Sequence, residues 1–397
     1  MRRANASDFR VVIIGAGLGG LCLAQALKSA GVRVAVFERD SAADARPQGT
    51  RLHINPTGSA ALHTCLPDEV FALFERTSGR HGSTFTVFNK DLHVLSTVSD
   101  SEESPLHSHW SVDRMVLRRV LLTGLENRTH FGKTFAHYEE LSDGALIACF
   151  EDDTRIEADV LVGADGVGSR VREKYLPHTA PFDTGAIMIG AIIPFSDALH
   201  AILPKAALTG GVMIVPGDAP CALVLASWTP ETRELQALAG MSAIPKVPNA
   251  KQNGYAVFGF CAERNYFELS SEQLRTEPAA VKRAVQARMS SWHGDLQALV
   301  EIIAPSIQSS RPVDAWRSTG ITLIGDAIHS MTPFQGNGAN TALKDAETLS
   351  RELTAAIKNE LPIVEAVQSY ERSMRIYAFE AVRESLSVMT RLLGRQL

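Results

Sequence analysis

Six residues near the start of the chain, Gly15-Ala16-Gly17-Leu18-Gly19-Gly20, constrain its fold more than any other feature. They come after an apolar run from Arg10 to Ile14. They precede a stretch, Leu18 to Ala30, that places Leu21, Ala24 and Leu27 on one helical face and stops at Gly31. Val32 to Phe37 is a second apolar run. Together these segments read as one β-α-β unit. Gly15 permits the tight turn, Gly17 lets a pyrophosphate approach the backbone, Leu18 opens the helix, and Gly20 lets helix and strand pack closely. The helix N-terminus offers free N–H groups and partial positive charge to phosphates. Glu38 stands at the end of the second strand, 18 residues after Gly20, where a ribose-binding carboxylate belongs. The plainer alternative is a glycine-rich turn with a surface glutamate.

Two later segments have the same strand-then-glycine character. Val160 to Val162 leads into Gly163-Ala164-Asp165-Gly166-Val167-Gly168-Ser169-Arg170-Val171-Arg172. There Asp165 enters a turn and Ser169 can cap a helix after it, although an ordinary strand–turn–helix accounts for the segment equally well. Ile321 to Ile324 leads into Gly325-Asp326-Ala327-Ile328-His329-Ser330-Met331-Thr332-Pro333-Phe334-Gln335-Gly336-Asn337-Gly338-Ala339-Asn340. Asp326 can accept from a ribityl hydroxyl. Gly336 to Asn340 brings bare backbone N–H groups to a helix start, the right electrostatic partner for a reduced, anionic flavin.

The chain has 397 residues, enough for two domains sharing an interface. Its net charge of −5, with both signs dispersed, gives no reason to expect a nucleic acid partner. The five cysteines, at 22, 65, 149, 221 and 261, include no closely spaced pair, so we expect neither metal nor disulfides but buried thiols in a cytoplasmic setting. Arg2 and Arg3 before the apolar run Val11–Leu27 imitate a signal peptide, but the glycines within it fit a turn better. No membrane-spanning run is expected.

Asn55 to Phe74 reads as helical with an interruption at Pro67. Ser111 to Leu125 reads as a helix with Ser111 as N-cap. Segments 185–194, 211–216, 220–228 and 254–261 read as strands of an antiparallel sheet. Two further helices run from about Ala339 to Ile357 and from about Ile363 to Leu393. The expected architecture is α/β: a discontinuous Rossmann-like dinucleotide-binding domain over 8–176 and 311–360, which the resemblance described next makes an FAD-binding domain, an inserted antiparallel-sheet substrate domain over 177–310, and a long C-terminal helix over 361–397.

In the order of its three segments the chain resembles the single-component FAD monooxygenases typified by para-hydroxybenzoate hydroxylase, over residues 10–385. Within that group it is similar to the tetracycline-degrading enzymes, through Glu38-Arg39, Arg46, the Gly49-to-Gly58 stretch, Asp113-Arg114 and Tyr370-Glu371-Arg372, and to short secondary-metabolism hydroxylases. The resemblance implies that Glu38 binds the adenosine ribose with Arg39 beside the adenine. It implies that Arg114 contacts the ribityl–phosphate side, that Asp326 holds the ribityl chain, and that Gly336, Gly338, Ala339 and Asn340 border the pyrimidine edge. Arg51, Asp165 and Pro333 complete the expected cofactor set. Arg46 matches a position implicated in nicotinamide-cofactor contact. His53 departs from the tetracycline-degrading pattern, which carries an acid there.

The resemblance further implies FAD as cofactor, NADPH or NADH docking transiently, O₂, and hydroxylation or epoxidation of a small aromatic or polycyclic substrate through a flavin hydroperoxide. A single dinucleotide fingerprint suits transient docking. No catalytic dyad stands out. His53, His107, His109 and His329 are candidates for acid–base work, with a structural role the plainer reading of each and an architectural one for His329. Substrate candidates are His53, Met188, Met213, Trp228, Phe258 and Phe334; Phe260 shares their strands, and core packing is the simpler account of the strand residues. The rivals are a flavin oxidase or reductase without oxygen insertion and a non-enzymatic flavin redox sensor. A halogenase is disfavoured by the absence of a W-x-W-x-I-P segment. A monomer or a dimer is expected.

Overall fold

Runs such as Arg-Val-Val-Ile-Ile can bury both faces and pair every backbone group at the centre of a parallel sheet covered by helices. In the computed structural model, which describes residues 9–45, 51–80, 84–99, 109–142, 144–229, 254–301, 304–305, 315–332 and 336–393, they do so. β1 (Arg10–Ile14), α1 (Leu18–Ser29) and β2 (Arg33–Glu38) form the opening unit. Next come β3 (Arg51–Ile54), α2 (Pro56–Cys65), β4 (Trp110–Asp113) and α3 (Arg114–Leu122). After them stand β5 (Val160–Gly163) and α4 (Arg170–Tyr175). A five-stranded parallel sheet sets β1 at its centre, between β5 and β2, with Thr129–Phe131 beyond β2.

The middle of the chain supplies β6 (Ala186–Pro194), β7 (Gly211–Ile214), β8 (Cys221–Trp228) and β9 (Tyr255–Glu263). These alternate as expected and pair antiparallel in the order β6-β9-β8-β7. The sheet continues past β7 through two strands from early in the chain, Thr84–Phe88 pairing parallel with β7 and Val94–Ser99 pairing with Thr84–Phe88, and the short strand Ala304–Pro305 pairs with β6 at the other edge, making seven strands. The chain then returns to the first sheet with β10 (Ile321–Leu323), beside β5, and the short α5 (Asp326–His329). Finally, α6 (Asn337–Lys358) and α7 (Ile363–Leu393) pack on each other, and α6 packs on α1.

The helix expected over Ser111–Leu125 is corrected. Ser111 lies in β4, and the helix begins at Arg114. Asp113 is its cap, with Oδ1 accepting from Met115 N–H at 2.9 Å and Val116 N–H at 3.3 Å. Ser111 instead donates to the Ser227 carbonyl at 3.0 Å, tying the small antiparallel sheet of β3, β4 and Gly79–Arg80 to β8. The expected break at Pro67 is present, between α2 and a helix over Asp68–Thr77.

A small apolar cluster of Ala186, Cys261, Met389 and Leu393, with Met188 packed against it, joins the middle sheet to α7, and two larger cores result. One surrounds the parallel sheet with α1, α6 and α7. The other lies under one face of the seven-stranded sheet, where Ile187, Leu223, Leu225, Phe258 and Phe260 pack on Val281, Val285 and Leu296 of helices Pro278–Arg288 and Gly294–Ala298. All five cysteines are buried and unbridged. Among the described residues no helix is long and apolar enough to cross a membrane.

Candidate active site

The C-terminal ends of β1, β2 and β5 open into a cavity of about 420 Å³, lined by Gly15, Gly17, Leu18, Glu38, Arg39, Arg114, Asp165 and Asp326 among others. Gly15, Gly20 and Gly17 of the first motif each have a separate reason to be there. Gly15 has φ +110°, and a Cβ on it would lie 2.3 Å from the Ala164 carbonyl oxygen. A Cβ on Gly20 would lie 2.3 Å from the Gly15 carbonyl, so this glycine sets the helix–strand approach. At Gly17 the nearest atom to a Cβ is 4.0 Å away, which leaves that backbone open to the cavity. Gly17 caps α1 without a side chain, so among the described residues no cap side chain occupies the first-turn N–H groups of this 12-residue helix, which remain open to a ligand.

Glu38 is buried and already engaged. Its Oε2 accepts from Ala16 N–H at 2.9 Å and from Arg118 Nη2 at 3.3 Å, and its Oε1 accepts from Asp40 N–H at 3.0 Å. A carboxylate has about four lone-pair sites, so acceptor capacity remains for a ribose hydroxyl. Arg118 also donates to the carbonyls of Ala16 and Ala43, both at 2.8 Å. It therefore clamps the glycine turn, the end of β2 and the residues beyond it. Arg118 was not among the expected site residues, yet it stands four positions after Arg114 on α3, on the same helix face. Lys133 and Thr134 also line the cavity and carried no sequence signal.

Asp165 lines the cavity, but its carboxylate is committed to the start of α4: Oδ1 accepts from Ser169 Oγ at 2.5 Å and Oδ2 from Arg170 N–H at 2.8 Å. Ser169 caps α4 as expected, accepting from Arg172 N–H at 3.0 Å. At the far end of the cavity Arg114 and Asp326 act on each other. Burial lowers the Arg114 pKa and raises that of Asp326, and each charge opposes the shift of the other.

The third motif brings α6 to this end. Gly336, with φ +65°, is its cap residue. Asn340 is buried, and its side chain joins segments rather than lying free: Oδ1 accepts from Asn55 N–H at 3.0 Å, and Nδ2 donates to the His53 carbonyl at 2.9 Å. Gly338 is helical, without the positive φ found at Gly336. A Cβ on it would lie 3.7 Å from Met331 Cγ and 4.0 Å from Asp326 Oδ1, ordinary contact distances. His53 Nε2 lies 2.8 Å from His109 Nδ1, and the two rings stack with centroids 5.0 Å apart. Ala339, in the first turn of α6, is partly buried. Arg46, His107, Pro333 and Phe334 lie outside the described residues.

Arg51 supplies a test of fit. Its Nε donates to Ser111 Oγ at 2.9 Å, but the buried Nη2 has no hydrogen-bond partner among the described residues. Burial lowers its pKa to about 10 against the opposing effect of Tyr255. Arg51 itself does not line this cavity, whereas the open Gly17 backbone and the cations Arg39 and Arg114 do, and these form a cradle suited to an anionic dinucleotide.

Strand alternation sorts the substrate candidates. Phe258 and Phe260 point into the helix-covered core, which corrects the expectation that Phe258 lines a substrate site. Met188 and Met213 lie on the opposite face, with Val224, Val257 and Gly259, and Met188 folds over Gly259. Trp228 shares that face but is fully buried against Tyr255, with ring centroids 5.4 Å apart. Tyr255 in turn donates to Asp113 Oδ2 at 2.9 Å, so this face turns toward the parallel-sheet domain.

The match to an FAD-binding-domain family model spans residues 8–385, and the chain belongs to that family. A crystal structure from Photorhabdus luminescens subsp. laumondii, provisionally described as an FAD-containing monooxygenase, is 34% identical with a TM-score of 0.85, covering 97% of this chain and 99% of that one. The dual O-methyltransferase/FAD-dependent monooxygenase CTB3 of Cercospora beticola is 33% identical over 99% of this chain and 47% of its own length. The chain thus spans about half the length of that dual-function relative. The 6-hydroxynicotinate 3-monooxygenase of Pseudomonas fluorescens is 26% identical over 86% of this chain and 82% of its own length. The chain thus has the α/β fold of the FAD-binding-domain family, with FAD as its cofactor, and is similar in sequence to FAD-dependent monooxygenases.

Proposed function

We propose that the chain hydroxylates or epoxidises a small aromatic or polycyclic substrate, using O₂ and NADPH or NADH as a transient co-substrate. The observation that carries this reading is one continuous cavity running from Gly17 and Glu38 to Arg114 and Asp326. It would hold an extended dinucleotide, with its reacting end toward the N-terminus of α6. FAD, when bound, accepts hydride from the nicotinamide and activates O₂ for transfer of one oxygen atom.

The chain's own residues then bind and orient. Glu38 and Arg39 would hold the adenosine end and Asp326 the ribityl chain, with Arg114 and Arg51 opposing negative charge. The backbone at Gly336, Gly338, Ala339 and Asn340 would face the pyrimidine edge, and Pro333 and Asp165 would complete the cofactor set. Met188 and Met213 would form part of an apolar substrate wall, with His53 and Phe334 near it, while Arg46 would meet the nicotinamide cofactor. No side chain is assigned as catalytic.

Division into 8–176 with 311–360, 177–310 and 361–397, and a monomeric or dimeric state, belong to the same reading. The buried, unbridged thiols support a reducing, cytoplasmic setting. The name of the Pseudomonas relative, which specifies a single hydroxylated aromatic ring, supports a small aromatic substrate. The test is NAD(P)H oxidation by the FAD-loaded protein across a panel of aromatic compounds. Stimulation by some members together with hydroxylated product supports the reading. Uniform, unstimulated oxidation that yields only hydrogen peroxide favours the oxidase rival, and no NAD(P)H oxidation at all favours the redox sensor.

A further inference from the structure

Behind Asp326 lies a set of buried charged groups for which FAD binding alone supplies no role. His329, three positions after Asp326 on α5, and Asp345, in the middle of α6, are both completely buried. His329 Nε2 lies 2.6 Å from Asp345 Oδ2. The same Oδ2 accepts from Gly325 N–H at 2.8 Å, and Oδ1 accepts from Tyr377 Oη of α7 at 2.6 Å. Asp345 therefore ties the turn that presents Asp326 to both long C-terminal helices.

We propose that His329 is a positioning residue for the flavin: held as an imidazolium by Asp345, it fixes the charge and direction of Asp326, and through Asp326 the affinity for FAD. The inference rests on the reading of Asp326 as a flavin-binding carboxylate.

The charge assignment stems from the surroundings of the ring. Burial alone disfavours the imidazolium. The Asp345 charge and hydrogen bond, then the charge of Asp326, outweigh it and raise the His329 pKa. A hydrogen bond to the residue's own backbone acts in the same direction as Asp345. From α7, the Tyr377 and Tyr370 hydroxyls carry no charge near neutrality: burial and the Asp345 carboxylate push both pKa values up. From α4, Arg172 donates to the Ala327 carbonyl at 2.9 Å. On the cavity side Asp326 is raised by burial and lowered by His329 and Arg114. The result is a row of alternating charges, Arg114, Asp326, His329 and Asp345, running from the cavity into the core. With a neutral His329, Asp326 keeps only Arg114 against its burial, and protonation of Asp326 becomes more favourable. A protonated Asp326 accepts a ribityl hydrogen bond less strongly than a charged one.

A purely mechanical clip makes a different forecast. His329→Gln keeps a donor toward Asp345 but removes the charge. Apoprotein titrated with FAD is expected to bind at least about tenfold more weakly in this variant. In the Asp326→Asn background the same change is expected to alter affinity less than about threefold, because the group through which it acts is gone. Unchanged affinity in His329→Gln, or equal losses in both backgrounds, overturns the proposal. Nitrogen NMR of histidine-labelled wild-type holoenzyme gives a measurement independent of whether the variants fold. Both ring nitrogens of His329 are expected to be protonated at about pH 7.5, well above the ordinary histidine value, and a neutral ring there overturns the proposal. Neither readout involves oxygen insertion, so failure here and failure of the monooxygenase reading are separable.

Discussion

Asn340 Oδ1 accepts the backbone N–H of Asn55 at 3.0 Å, joining residues 285 positions apart, while Nδ2 of the same side chain holds the His53 carbonyl at 2.9 Å. One buried amide thus fixes the β3–α2 turn against the first turn of α6. A Cβ on Gly58 would lie 2.2 Å from that Oδ1, so the turn has no room for another residue. Asn340→Ala leaves the Asn55 N–H and the His53 carbonyl without these partners. Loss of about 1–3 kcal/mol in urea unfolding is expected, as for other buried groups left unsatisfied. Wild-type stability would mean that solvent replaces the amide.

Gly338 separates a folding role from a ligand role. A Cβ there meets only ordinary contacts, and the residue is helical. Gly338→Ala is therefore expected to hold or raise thermal stability, since alanine favours a helix by up to about 1 kcal/mol. If the flavin lies against this backbone, FAD affinity falls in the same variant. Loss of stability with wild-type FAD binding would place the flavin elsewhere.

The two faces of the seven-stranded sheet differ in consequence. Phe258→Ala opens a cavity in the helix-covered core and is expected to cost about 3–5 kcal/mol while substrate preference stays unchanged. Met188→Ala is expected to change KM among aromatic substrates at smaller cost to stability. Stability measured by unfolding and KM measured across the panel decide it: an unaltered substrate profile in Met188→Ala removes that residue from the substrate wall.

The architecture was legible where local pattern and tertiary structure agree. Apolar runs and glycine placement marked β1, α1 and β2, and periodicity marked α7 from Ile363 to Leu393. Other features depend on distant partners. Thr84–Phe88 joins β7 across more than a hundred residues, and nothing within either strand announces the pairing. Ser111 and Asp113 can each cap a helix; Ser111 was drawn into β4 by its bond to Ser227. Alternation grouped Phe258 with Phe260 but did not say which face the helices cover. The Arg118 clamp on Glu38 spans 80 positions and became visible only in three dimensions.

Stability should also carry the signature of His329. Its folded pKa is raised, so the folded state holds a proton that the unfolded state releases near the ordinary histidine value of about 6.5. Its contribution is full below that value and is lost as pH rises through the folded pKa. Unfolding free energy is therefore expected to decline with pH above about 6.5, and His329→Gln should flatten that decline. An identical slope in wild type and variant would assign the decline to other groups.

The monooxygenase reading meets its most direct test under ¹⁸O₂. The FAD-loaded protein, supplied with NADPH or NADH and an aromatic compound that stimulates its oxidation, is expected to place one ¹⁸O atom in the product, with the other recovered as water. Consumption of ¹⁸O₂ that appears wholly as hydrogen peroxide, with unlabelled aromatic compound across the panel, would contradict it.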